Sequence, residues 1–313
     1  MSQTDTSSTG RTWEVYIPHL NSIPPAMSDL LEHYAHVPPG PNHQTQIDHV
    51  LAVRDPVYKS NPYPCIGRFR FLTLDLATHC LYKTDVLPRM TSTSSPPQIF
   101  LDLGTCLSQD MRKLIYDGAP PLHCYGADII PAYIDAGYKL FNDAERFPRD
   151  TQFFCPMDIF DEDPSSNPLL KGSGGKVDII HATAFFHLFS WDQQLVVAAQ
   201  CLRLLRKQGR QEDEGCLILG KQVGYVEAQE SQRRDNPELK SFRHNEASWR
   251  KLWESVVREE EFRDVVKEIR VEVHKMHERH EGLQAEDGKG VAGGQASMPS
   301  GFRWMEWSVR VWF

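Results

Sequence analysis

The chain has 313 residues, 40% of them apolar and 24% charged, a balance that fits a packed fold of about two domains' length and excludes collagen-like, coiled-coil and wholly disordered readings. Lys plus Arg number 34 against 42 Asp plus Glu, a formal charge of −8, so no global positive field exists to hold a phosphate backbone and nucleic acid is not an expected partner. Seven cysteines, odd in number and without a C-x-x-C pair, suggest neither a disulfide framework nor a cysteine-based zinc site. With no stretch approaching the ~20 apolar residues that span a bilayer, the expectation is a cytoplasmic protein with reduced thiols.

In chain order, the first ten residues are rich in Ser and Thr; lacking apolar side chains to offset ordering entropy, they are expected to be disordered. Residues 24 to about 90 read as mainly helical. PPAMSDLLEHY sets Met27, Leu30, Leu31 and Tyr34 three and four apart, as one helical face requires. A second helix is expected from Gln46 to Tyr58 through Ile47, Val50 and Leu51, and a third apolar run follows in CIGRFRFLTLDL. TSTSSPPQ, residues 91–98, breaks the pattern as a linker. The domain boundary is set there: residues 1–95 as an N-terminal helical cap, 96–313 as the second domain.

Beyond the linker, short apolar runs alternate with helical patterns, which predicts βα units and a parallel sheet. Strands are expected at 99–104, 124–129, 152–160, 177–185 and 215–224, with helices in DMRKLIYDGA, in PAYIDAGYKLF and over 192–207. DEDPSSNPLLKGSGG reads as a polar surface excursion. After the helix SWRKLWESVVREEEF, residues 268–277 and 302–313 alternate polar and apolar side chains at period two, with a Gly-rich insertion between them. They suggest an antiparallel pair closing the sheet edge. The expected fold is therefore α/β: a Rossmann-like, mainly parallel seven-stranded sheet with a C-terminal antiparallel hairpin, the arrangement of a class I methyltransferase domain.

In an open sheet of this kind a ligand sits outside the carboxyl ends of the strands at the topological switch point. The first strand ends in Asp102-Leu103-Gly104-Thr105-Cys106. Only one glycine precedes the helix, so neither the dinucleotide fingerprint G-x-G-x-x-G nor a P-loop is present. Asp128 ends the second strand 26 residues on, the spacing that brings a carboxylate to a ribose, where it accepts from both hydroxyls. Asp158 at the third strand suits an exocyclic adenine amine, and His181-Ala182-Thr183 at the fourth suits a methionine-like moiety. Each alone is also a common turn former or helix cap; their succession at consecutive strand ends is the signal.

PYPCIGRFRF (62–71), IFLDLGTCLSQDMRKL (99–114), YGADI (125–129), DIFD (158–161), DIIHATAFFHLFSWDQQ (178–194), LILGKQVG (217–224) and FRHNEASWRKLW (242–253) resemble the S-adenosylmethionine-dependent methyltransferases of fungal secondary metabolism, particularly those of austinol- and terretonin-type meroterpenoid pathways. The likeness runs from about Pro62 to Trp253. It implies a helical N-terminal segment over a domain that binds S-adenosylmethionine and releases S-adenosylhomocysteine. It also implies methyl transfer to the carboxyl group of a farnesylated orsellinate-type polyketide acid. The residues then expected to hold the cofactor are Asp102, Leu103, Gly104, Thr105, Asp110, Asp128, Ile129, Asp158, Ile159, His181 and Ala182. Where such enzymes commonly carry glycine after the first-strand turn, this chain has Thr105-Cys106-Leu107.

For the acceptor, His187 is the catalytic candidate: in AFFHLFSW its bulky neighbours suit a terpenoid chain while the imidazole orients a carboxylate. Its other reading is a helix cap. Gln222, His244, Tyr63 and Phe69 are the further acceptor candidates. Asn245 suits an acceptor contact and equally a helix N-cap, Lys221 suits pairing with an anionic substrate and equally a solvated strand end, and Tyr58, Tyr63, Phe69 and Phe71 suit either a pocket roof or, more commonly, core packing. Trp249 and Trp253, four apart, suit a buried helix face. HKMHERHE (274–281) spaces three histidines by three but lacks partner carboxylates at fixed positions, so no metal is expected. The expected partner is a small hydrophobic acid, with a homodimer through the N-terminal helices as the alternative use of their apolar surface. A methyltransferase-like isomerase or cyclase that moves no methyl group is the competing function.

Overall fold

The computed structural model describes residues 16–93, 95–208, 214–233, 236–278 and 300–313, with the backbone of 4–6 and 12–14. Of the first ten residues, Thr4–Thr6 pair antiparallel with Thr12–Glu14; the rest of that stretch, and the Gly-rich insertion with His280, lie outside the described residues.

The sheet is built from β1 (Phe100–Leu103), β2 (Cys124–Ala127), β3 (Phe153–Phe154), β4 (Ile179–His181), β5 (Cys216–Tyr225), β6 (Glu268–His277) and β7 (Phe302–Trp312). Their order is β6-β7-β5-β4-β1-β2-β3. The central pairs are parallel, Phe100 facing Cys124 on one side and Ile179 on the other, while β7 runs antiparallel to both β5 and β6. The mainly parallel seven-stranded sheet with a closing hairpin is thus present. All four residues of β1 are buried, as a central strand covered by helices on both faces requires.

Crossovers run through α3 (Gln109–Tyr116), α4 (Pro131–Phe141) and α5 (Trp191–Leu204), and α6 (Glu246–Val257) leads toward β6. Local chemistry sets their ends. Pro131 occupies the first turn of α4 and left-handed Asn142 (φ 50°) ends it. Ser190 and Gln193 form a reciprocal capping box on α5, and Asn245 with Ser248 does so on α6. Trp249 and Trp253 on α6 are fully buried, the helix face their spacing predicted.

Ahead of the sheet, α1 (Pro25–Asp29) continues into a wider turn over Leu30–Tyr34, and α2 spans Gln44–Ser60. The run CIGRFRFLTLDL is not one helix: Pro64–Gly67 and Arg70–Leu72 are separate turns broken at Phe69, whose φ is 56°. Besides the Thr4–Thr6 pair with Thr12–Glu14 and the single turn Arg149–Gln152, two further elements escaped the sequence reading. Pro168–Ser173 is a short helix capped by Asn167 inside the polar excursion, and Gln229–Gln232 pairs with Lys240–Arg243 as a surface hairpin.

Side chains from Ile17 to Leu74 share one apolar cluster with Leu107 and with Tyr133, Ala136, Leu140 and Phe141 around α4. Leu76, Tyr82, Val86 and Met90 instead pack on Phe100, Met111, Ile179 and Leu217 of the sheet layer. A fully buried ion pair reinforces the first contact: Arg112 Nε and Nη2 donate to Asp143 at 2.7 and 3.0 Å, Arg112 Nη1 donates to the Leu107 carbonyl at 3.0 Å, and the Tyr34 hydroxyl donates to Asp143 at 2.8 Å. Such a pair offsets its desolvation only when its polar atoms are satisfied, as they are here.

Candidate active site

A cavity of about 380 Å³ opens outside the carboxyl ends of β1 to β4, at the point where the strand order reverses. That is the size of a small-molecule site. Its floor is acidic: Asp102 from β1, Asp128 just past β2, Asp110 from the first turn of α3 and Asp158 all line it.

The loop after β1 is shaped by backbone torsion. Gly104 lies at φ +72°, and a Cβ there would come within 2.5 Å of the Phe185 ring, so glycine is needed for both conformation and space. Cys106 and Ser108 also take left-handed φ values, 51° and 58°, a conformation that costs a non-glycine residue about 1–2 kcal/mol. Asp128 holds the loop in that shape. One carboxylate oxygen accepts the Cys106 N–H and the other the Ile130 N–H, each at 2.9 Å. Burial raises the Asp128 pKa while these backbone donors oppose the rise. Both oxygens retain lone pairs toward the cavity.

A chain of hydrogen bonds joins the tips of β1, β4 and β5. Asp102 accepts from Thr105 Oγ1 at 2.6 Å and pairs with His181 Nδ1 at 2.8 Å; His181 Nε2 lies 2.7 Å from Thr183 Oγ1, which accepts the Lys221 N–H at 3.1 Å. Burial disfavours the charged imidazole, but Asp102, through charge and hydrogen bond, together with Asp110 and Asp75 outweighs it, and the His181 pKa is raised. Asp110, fully enclosed, is pushed up to about 7 by burial; it accepts the Leu76 N–H at 2.8 Å.

Of the expected cofactor residues, Asp102, Gly104, Thr105, Asp110, Asp128, Ile129, Asp158, Ile159 and His181 line this one cavity. Leu103 and Ala182 do not: both are fully buried in the core between the sheet and its helices, because side chains alternate faces along a strand. Asp158 reaches the cavity from a turn rather than from a strand end, since β3 stops at Phe154, and its oxygen accepts the Phe160 N–H at 2.9 Å. Ile129, 54% exposed, is an apolar side chain held beside Asp128.

The acceptor candidates fare differently. Tyr63 and Phe71 line the cavity, but Phe69 is buried beneath the Arg54 guanidinium, 4.1 Å from its ring centroid, and Tyr58 packs on Tyr16. His187 is not a lining residue. It sits on a turn of three-residue pitch, Phe186–Leu188, in which residues three apart share a face, so Phe185 and Leu188 meet the cavity in its place. His244 is wholly buried, bonded to Gln194 Oε1 at 2.9 Å and to Ser248 at 3.0 Å, with its pKa lowered by burial to about 3. Gln222 is fully buried in β5 opposite Met305. Lys221, on the opposite face of that strand, donates to Thr78 Oγ1 at 2.6 Å and is not a solvated strand end.

Sequence reasoning named no cation in the cavity and only part of its apolar wall. Arg70 and Arg233 are lining residues, with Tyr133, Phe160, Phe185 and Phe189. Phe160 and Phe185 each meet Phe189 edge to face, with centroids 5.1 and 5.2 Å apart. The AFFHLF segment carried the signal for Phe185 and Phe189; nothing local marked Arg233, which arrives from the surface hairpin.

Numbered along the chain, the strand order is 3-2-1-4-5-7-6 with the seventh antiparallel, which defines a class I methyltransferase, an enzyme that takes S-adenosylmethionine as its methyl donor. Residues 15–72 match the sequence family described as the meroterpenoid methyltransferase N-terminal domain. The O-methyltransferase phiE of Fungal sp. (strain ATCC 74256) is 40% identical over 233 residues, 74% of this chain and 71% of its own. The asnovolin E/chermesin D methyltransferase nvfJ of Aspergillus novofumigatus (strain IBT 16806) is 34% identical over 232 residues, 74% of this chain and 76% of its own. The chain belongs to this family of fungal meroterpenoid methyltransferases. Among solved structures, the mitomycin 7-O-methyltransferase MmcR aligns at 11% identity with a TM-score of 0.43, over 83% of this chain and 59% of its own. Among the described residues no helix is long and apolar enough to cross a membrane.

Proposed function

We propose that the chain esterifies the carboxyl group of a farnesylated, orsellinate-type polyketide acid. The observation that carries this reading is the composition of one cavity: carboxylates at the sheet tips, and an aromatic wall with two guanidinium groups, Arg70 and Arg233, from the segments that cover them.

The donor set fits the cofactor. Asp128 offers two anchored oxygens to a ribose, exposed Ile129 an apolar face to a purine, and Asp75 and Asp102 a negative end to an ammonium group. When bound, S-adenosylmethionine supplies an electrophilic methyl group on a sulfonium. The protein's contribution is alignment and exclusion of water, which together supply up to about 7–11 kcal/mol in the best intramolecular cases. A carboxylic acid with a pKa near ~4 is already ionised at neutral pH and needs no base. This agrees with the hydrogen bonding of His181, the one histidine lining the cavity among the described residues, whose two nitrogens are already engaged. Arg70 and Arg233 pair with the acceptor's carboxylate, and Phe71, Phe160, Phe185 and Phe189 bury its isoprenoid chain. In this reading the residues up to about 95 act as the cap.

The test is incubation with methyl-labelled S-adenosylmethionine and the farnesylated acid. Labelled methyl ester and S-adenosylhomocysteine are expected. A labelled ether, or conversion of the acid without label transfer, overturns the carboxyl reading.

A further inference from the structure

Three side chains with metal-binding chemistry meet away from the cavity, on residues that methyl transfer leaves unused. His79 and Cys80 lie between the N-terminal helices and the sheet, and His274 lies on β6; none of them lines the cavity. One ligand-capable atom from each falls within 4.8 Å of the others.

The backbone aims these groups at one another. Val273 faces Trp307 and Lys275 faces Glu306, consecutive residues of β7, so His274 is the extra residue of a β-bulge. Bulges turn one side chain out of the regular alternation. Here the turned ring lies 5.7 Å from that of His79 at 87°, with Nε2 2.8 Å from Ser308 Oγ. His79 is fixed from the other side: its Nε2 is 3.1 Å from the Trp307 carbonyl. A carbonyl only accepts, so that nitrogen carries the hydrogen and Nδ1 keeps a lone pair. Nδ1 lies 3.9 Å from Cys80 Sγ and accepts the Leu81 N–H at 3.2 Å.

We propose that His79, Cys80 and His274 form a zinc site that ties the segment before the sheet to its antiparallel edge. Two imidazoles and a thiolate are a zinc donor set, and ligating histidines characteristically bond a carbonyl, carboxylate or hydroxyl through the other ring nitrogen, as His79 does with Trp307. A carboxylate stands beside the three: Glu306 Oε1 accepts the Cys80 N–H at 3.0 Å. Its negative charge favours a dication, and a water or Glu306 itself completes four-coordination. Zn–S of about 2.3 Å and Zn–N of about 2.0–2.1 Å require the donors to draw together. Cys80 and His274 are exposed, and zinc replaces the Leu81 contact on Nδ1. Coordination transfers the Cys80 thiol proton to solvent and forms one Zn–S bond, with no change of oxidation state.

The full chain, stripped of metal with a chelator, is titrated with Co²⁺ and then with Zn²⁺. A thiolate-to-cobalt charge-transfer band with tetrahedral d–d absorption is expected, both bleached by zinc, and zinc should raise the thermal midpoint. Cys80→Ser should abolish the charge-transfer band. His274→Ala should weaken binding at least ~10-fold, the least that a ligand should be worth if supporting residues are worth 10–100-fold. Both positions are exposed, so each variant's fold is checked by circular dichroism, and His79 is left intact because its bond to Trp307 is buried. Absence of the charge-transfer and tetrahedral bands, persistence of the charge-transfer band in Cys80→Ser, or unchanged affinity in His274→Ala overturns the site. Label transfer to the acid is read separately, so failure of this proposal leaves the esterification reading standing.

Discussion

Asp128→Ala separates two roles of one carboxylate, the loop anchor that the structure shows and the proposed ribose contact. The first is local: its two oxygens accept the Cys106 and Ile130 N–H groups, each at 2.9 Å, bonds to a charged acceptor worth about 1.5–3 kcal/mol apiece. These N–H groups lie at a cavity wall where water reaches them in part, so the variant is expected to lose about 1–3 kcal/mol of stability. The second is ligand binding. Loss of even one charge-assisted bond from a ribose hydroxyl removes about 1.5–3 kcal/mol, which raises the dissociation constant for S-adenosylhomocysteine at least about tenfold. Cys106→Gly in the Asp128→Ala background tells the two apart. Glycine adopts φ 51° without strain, so the double variant should recover stability but not affinity. Calorimetry and urea unfolding on the three proteins supply the comparison. Unchanged affinity in Asp128→Ala refutes the ribose assignment, and affinity restored by Cys106→Gly reduces Asp128 to a loop anchor.

Asp110 should leave a mark on stability. Because burial pushes its pKa up to about 7, the folded state keeps a proton that the unfolded chain releases above about pH 4. The stabilisation is complete below that pH and is lost as pH rises toward 7, with a slope of at most about 1.4 kcal/mol per pH unit. Denaturant midpoints of Asp110→Asn should lack this slope between pH 4 and 7, and parallel profiles for variant and parent would contradict it. His244→Ala should cost about 2–4 kcal/mol in urea unfolding, through a cavity beside Trp191 and Trp249 and an orphaned Gln194 carbonyl, while leaving S-adenosylhomocysteine affinity as it was. A loss of affinity without a loss of stability would return this residue to the binding site.

The parallel strands were legible because a strand covered on both faces must be apolar throughout, and the closing hairpin because its alternation has period two. β3 was read too long: only Phe153 and Phe154 pair, and the turn that follows carries Asp158 into the cavity. The carboxylates at successive strand tips could be found because the fold itself dictates where strands end. The acceptor side was not legible in that way. His187 and Phe185 differ by two positions, and only the pitch of the turn decides which of them meets the cavity. Arg233 comes from a hairpin with no apolar signature, and Gln222 points into the core because β7 and the residues before α6 cover the end of β5. The histidines at 274, 277 and 280 were weighed as a set of near neighbours, while His79 and Cys80, proposed to join His274, lie almost two hundred residues upstream.

One buried carboxylate, Asp143, is shared by Tyr34 from the N-terminal segment and Arg112 from α3, and Arg112 also grips the Leu107 carbonyl just past the loop that Asp128 shapes. This three-way clasp limits how such an enzyme is retailored for another acceptor. Exchanges near Tyr34 disturb the interior and the donor end together, whereas Tyr63, Arg70 and Phe71 face the chamber without bearing on the clasp. Divergence in acceptor choice between sister enzymes should therefore concentrate on that short stretch.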